Sequence, residues 1–129
     1  VKAAFKIALE TFLTTNQTLY PQYFEGATYT NDHDLILVKY IPISVSRPAV
    51  GLEMHVVTVR FYVFASVPLK LDQMIDNLSK LMSERELDGM EFGPMYTLQR
   101  ANQWGNVYES IADIEMRYWG TPDGQASSI

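Results

Sequence analysis

Hydrophobic and polar positions alternate at period two from His55 to Ala65. Val57, Val59, Phe61, Val63 and Ala65 fall on one side, and Val56, Thr58, Arg60, Tyr62 and Phe64 on the other. This period, carried by β-branched and aromatic residues with no Gly or Pro inside, predicts a long central strand. Its first face is wholly apolar and must meet a core. Its second face is apolar at both ends and carries Arg60 in the middle, so it also needs cover. Two helices and another copy of the chain are the candidates for that cover.

The rest of the chain supplies the helices and the neighbouring strands. Val1, Ala4, Phe5, Ala8, Leu9, Phe12 and Leu13 recur at three and four, which predicts an amphipathic helix from Val1 to Asn16. The run Thr14–Thr18 ends it, because those side chains compete for backbone hydrogen bonds. Leu71, Met74, Ile75, Leu78, Leu81 and Met82 predict a second helix over Leu69 to Glu84. Asp72 and Asp76 stand toward its start and Lys80 and Arg85 toward its end, as a helix dipole favours. Between the helices, Leu19–Thr30 groups Tyr20, Tyr23, Phe24 and Tyr29 around Pro21 and Gly26, and suggests an extended, partly strand-like segment. Asn31–Asp34 is a polar turn.

Leu35 to Val45 alternates as a second strand, with Pro42 confining its part to an edge. Ser46–Gly51 is expected as a projecting loop that joins it to the central strand in an antiparallel hairpin arm. Gly89 and Gly93-Pro94 mark the exit from the second helix. Met95–Ala101 is a short strand, Asn102–Asn106 a hairpin loop, and Val107–Trp119 the closing strand. Gly120–Ile129 is a polar tail. The expected fold is α+β: a mainly antiparallel four- to five-stranded sheet with two amphipathic helices packed on one face. Residues 1–120 form one domain, and 121–129 a flexible tail. Helices of this length cover one sheet face, which leaves Ile36, Val38, Tyr40, Val56, Tyr62, Phe64 and Trp119 as candidates for an uncovered apolar face.

Composition narrows the function. A length of 129 residues suits one domain with a real core. The absence of cysteine excludes disulfides, thiol catalysis and thiolate metal sites. The net charge of −5 gives no electrostatic reason to seek nucleic acid or an anionic membrane. No apolar run has the length of a membrane span, and no signal-peptide pattern is visible.

Candidate chemistry is sparse. Asp32-His33-Asp34 holds metal-ligand residue types, but adjacent residues converge poorly on one ion, and a solvated turn explains them. His33 and His55 lack an evident orienting carboxylate and nucleophile. Asp113 and Glu115 are one pleat apart, close enough for paired acid–base work. Glycosidase carboxylates usually face each other across a cleft instead, and Arg117 in the same row suggests a charged interface. No phosphate loop, nucleophile elbow or metalloprotease helix is present. The expectation is a protein with no catalytic, cofactor-binding or metal-binding residues, not an enzyme. The expected contact residues are Arg47 and Pro48 at the loop tip. With them go Glu109, Ile111, Asp113, Glu115, Arg117 and Trp119, whose mixed row has the composition of an interface.

The order of elements resembles the tail terminator proteins of long-tailed bacteriophages and their relatives among head–tail joining (neck) proteins. The likeness spans about residues 1–120. It rests on the opening helix, the two long strands joined by Ser46–Gly51, the Pro68…Leu71-Asp72 entry to the second helix, and the closing hairpin around Trp104-Gly105. The resemblance implies a structural virion protein, assembled in the host cytoplasm. It implies a sixfold homo-oligomeric ring at the head-proximal end of the tail tube, which stops tail growth and offers a surface to the head. The implied partners are the tail tube protein and a head-completion or neck protein, with DNA sliding through the lumen without specific binding and no membrane involved. An acidic chain suits such a lumen. The alternatives are a head-completion or neck connector of the same particle and, in another class, a small ligand-binding or enzymatic α+β domain.

Overall fold

The structure is a computed structural model that describes residues 3–27 and 34–120, without the side chains of Arg100 and Ala101. Nine elements follow one another: α1 (Ala3–Asn16), β1 (Gln22–Phe24), β2 (Leu35–Ala49), β3 (Leu52–Ala65), α2 (Pro68–Met82), β4 (Glu86–Leu87), β5 (Met90–Phe92), β6 (Tyr96–Trp104) and β7 (Val107–Gly120). The sheet order is β1-β2-β3-β7-β5-β4, and β6 also pairs with β7. Thus β7 carries two neighbours on its far edge, β6 along its first half and β5 along its last residues.

This corrects the expected sheet. It has seven strands among the described residues, curls, and is mixed because β1 runs parallel to β2. A four- to five-stranded, mainly antiparallel sheet is therefore wrong, although the fold is α+β. The reason is length. β1, β4 and β5 have two or three residues each, too few to show a period, so backbone pairing alone defines them. The β4–β5 hairpin did leave a signal in Asp88-Gly89, whose φ values of 47° and 83° suit a tight two-residue turn.

Register decides which side chains meet the helices. In β3 the odd residues Val57, Val59, Phe61, Val63 and Ala65 are buried, and in β7 their partners are the even residues Tyr108 to Met116. Phe5, Leu9 and Leu13 of α1 and Leu71, Met74, Leu78 and Met82 of α2 close over that face. Ile36, Val38 and Tyr40 of β2 lie opposite Val63, Phe61 and Val59, so they belong to this core and not to the uncovered face. Val56, Tyr62, Phe64 and Trp119 do lie on the opposite face, each half-buried.

Local chemistry fixes the ends. α1 closes with Gln17 N–H donating to Leu13 O at 2.8 Å, and the Gln22 side-chain amide donates to the same carbonyl at 2.8 Å. Carbonyls of the last helical turn need such outside donors. Pro68 opens α2, where its missing N–H costs nothing. Asp34 ties the start of β2 to α2 through Lys70 Nζ at 2.6 Å. Val1, Lys2, the turn residues Asn31–His33 and the tail 121–129 lie outside the described residues.

Candidate assembly surface

Two features stand apart from the packed body: an arm and a helix-free sheet face. The arm begins where β2 leaves the core. Every residue from Pro42 to Val50 is exposed, although β2 continues to Ala49. From Pro42 to Ser46 the strand is an open sheet edge, still paired with Met54–Val57 of β3, which β7 pairs in turn as far as Glu53 and Gly120. Only the tip Arg47–Leu52 therefore projects past the body, by roughly 10 Å. Ser46–Gly51 is thus the end of a hairpin rather than a loop. Ala49 pairs with Leu52, and Gly51, at φ +76°, makes the turn. Ser, Arg and Pro at these positions suggested a loop, but an edge strand tolerates them.

The outer edge of β2 is ill suited to accept another strand. Tyr40 N–H points away from β3 and is taken by the Glu25 carboxylate at 3.1 Å. Two residues further, Pro42 has no N–H to offer. The register shifts between Pro42 and Ser44, and again between Ser46 and Ala49. Prolines and bulges of this kind suppress edge-to-edge pairing. What the arm does offer is side chains: Ile43, Val45 and Val50 are 60%, 54% and 106% exposed. Arg47 and Pro48 lie near the tip. Arg47 holds the buried Glu53 through Nε and an Nη nitrogen, both at 3.0 Å. Glu53 also meets His55 Nε2 at 3.2 Å, and the His55 ring stacks on Tyr118, itself stacked on Phe5. The base of the arm is therefore anchored to the start of α1.

The helix-free face is organised in rows across the strands. Tyr23, Leu37, Tyr62 and Ile111 face one another in one row. The next row is Lys39, Arg60, Asp113 and Tyr96. Asp113 is buried and is gripped bidentately by Arg60, Oδ1 to Nε at 2.9 Å and Oδ2 to an Nη nitrogen at 3.0 Å. This hydrogen-bonded carboxylate holds the Arg60 guanidinium firmly in its charged form. Lys39 stands beside Arg60, and Asp113 offsets the like charges.

The other expected contact residues share this face of β7. Glu115 accepts from Arg117 Nε at 2.7 Å, and Arg117 also lies opposite Glu91 of β5. Glu109 accepts from Trp104 Nε1 at 3.3 Å. Trp119 lies opposite Met54, and Ile111 opposite Tyr62. The row Glu109 to Trp119 thus forms one surface, while Arg47 and Pro48 lie apart on the arm. Sequence reasoning missed the exposed Ile43, Val45 and Val50, although Ile43 and Val45 continue the apolar alternation beyond Pro42.

Chemistry that would suggest catalysis does not converge among the described residues. No three of His, Cys, Asp and Glu gather there as metal ligands. Asp34, from the acidic turn, is engaged by Lys70 and by Ser66 N–H. Asp113 and Glu115 are each engaged by a different arginine, Arg60 and Arg117. In the core, Tyr40 Oη is buried with the Glu10 carboxylate near it but no well-formed hydrogen bond. Burial first, and then the Glu10 carboxylate nearby, push its ionisation well above the ordinary tyrosine range. No described helix is long and apolar enough to cross a membrane. Neither a comparison with protein-family models nor one with curated proteins gave a match.

Proposed function

We propose that this chain is a structural virion protein that assembles as a ring at the head-proximal end of a phage tail tube. There it ends tail growth and presents the surface to which the head joins. The observation that carries the assembly part is the arm. A soluble monomer gains nothing from holding Ile43 and Val45 in water along a sheet edge and Val50 at a hairpin tip, whereas apolar side chains of this kind become favourable when a partner covers them. The helix-free face supports the same reading. It combines aromatic and aliphatic residues with paired charges, which is the mixture found at protein interfaces. The ring, its sixfold number and its place on the tail rest on the resemblance in the order of elements.

The functional test is genetic. Removing this chain from the infecting particle is expected to give tails of variable, excessive length that fail to join heads. Tails of normal length beside incomplete heads would point instead to a neck connector. Normal, infectious particles would refute the structural role.

A further inference from the structure

We infer that the ring is closed by insertion of one copy's arm tip into an apolar concavity on the helix-free face of the next copy. This rests on the ring reading only in taking the partner to be a second copy of the chain. The receptor is a concavity of ≈ 180 Å³ at the β1 edge, lined chiefly by Tyr23, Phe24, Leu37 and Tyr62, with Glu25 and Lys39 at its rim. A space of this order holds one small apolar group. The fully exposed Val50 at the arm tip is such a group.

Three observations select this occupant. First, the arm cannot serve its own concavity. Val38 lies on β2 and Val50 in the turn just past its end, and twelve residues at ~3.3 Å set them roughly 35–40 Å apart. The tip of another copy has no such constraint. Secondly, the blunted outer edge of β2 makes strand addition there unfavourable, so side chains must make the contact. Thirdly, the rim carries a carboxylate that can meet the tip's arginine, beside Lys39, which the arginine must avoid. Arg47 spends Nε and one Nη nitrogen on Glu53 and still has N–H donors facing solvent. Glu25 at the rim is exposed and negatively charged. Knob and socket are different patches of one chain, so the contact is heterologous, and repeating it generates a closed ring when the rotation closes.

The chain has no cysteine, so disulfide trapping has a clean background. Val50→Cys chains are mixed under mild oxidation with Leu37→Cys chains that carry a tag of different mass. As a control, Val50→Cys is mixed with Asp76→Cys, whose new thiol stands on the exposed side of α2. The expected result is a mixed disulfide with Leu37→Cys and none above background with Asp76→Cys. Val50→Asp, confirmed as folded by circular dichroism, is expected to weaken self-association by ~10-fold or more. Equal trapping at both sites, or none at either in a chain that sediments as an oligomer, overturns the arm-in-socket contact and leaves the ring reading standing. A chain that sediments as a monomer at every attainable concentration overturns both.

Discussion

The Arg60–Asp113 pair provides the sharpest test of the helix-free face. Asp113→Ala removes a carboxylate whose side chain is 4% exposed and leaves a guanidinium that is 26% exposed. Breaking a fully buried pair costs ~3–5 kcal/mol, most of it for the charge left behind. Arg60 retains some solvent and can partly rehydrate, so a loss of ~2–3 kcal/mol is expected. In a domain of this size that lowers the melting temperature by roughly 6–15 °C. Arg60→Met should cost a similar amount, because it strands the more deeply buried Asp113. The double variant Arg60→Met/Asp113→Ala removes both charges and should lose no more than either single variant, ~2 kcal/mol. With each single variant losing ~2–3 kcal/mol and the double ~2 kcal/mol, urea unfolding of the four proteins should give a coupling energy of ~3 kcal/mol. A coupling near zero, or an Asp113→Ala variant as stable as the parent, would show that this bidentate geometry is not what holds the central row.

Three further outcomes follow from single features. Tyr40→Phe should raise stability by about 1 kcal/mol at neutral pH, because it removes a buried hydroxyl that makes no well-formed hydrogen bond. It should also flatten the alkaline limb. The folded-state value of Tyr40 is raised, so above about pH 10 the unfolded chain ionises this hydroxyl before the folded one does, and the parent's stability falls as pH climbs toward the raised value while that of Tyr40→Phe does not; urea melts at pH 7 and pH 11 compare the two proteins. Gly89→Ala meets no atom within 4 Å but must hold φ +83°, so it should cost ~1 kcal/mol through backbone strain alone, and an unchanged melting midpoint would dismiss the tight-turn account. Trp119→Ala should leave the monomer folded yet weaken association by ~2 kcal/mol, whereas a variant that fails to fold places Trp119 in the monomer's own packing.

Much of the body was legible because its elements are long. The three-and-four spacing of Phe5, Leu9 and Leu13 and of Leu71, Met74 and Leu78 picks out helical faces that are buried in the structure. The alternation of Val57 to Ala65 likewise matches the buried side of β3. Register was not legible. Ile36, Val38 and Tyr40 and their apolar neighbours on β2 differ little in hydrophobicity, and only the pairing with Val63, Phe61 and Val59 assigns them to the core. The same holds for Arg60 and Asp113. Each was visible as a charge needing a partner, but they are 53 residues apart and meet only through the β3–β7 register. The arm was misread at its tip because Pro48 and Gly51 signal a loop in a central strand and are acceptable at a bare edge. The Asp88-Gly89 turn could have been found, since Asp-Gly between Leu87 and Met90 is a recognised hairpin signal.

The central claim is that this chain exists to assemble. Sedimentation velocity of the purified chain over a range of concentrations tests it most directly. The account predicts a discrete closed oligomer, six copies on the family resemblance, that dissociates when Val50 is replaced by Asp while the circular dichroism spectrum stays unchanged. A single species at 14.7 kDa at every concentration, with and without tail tubes present, would contradict it.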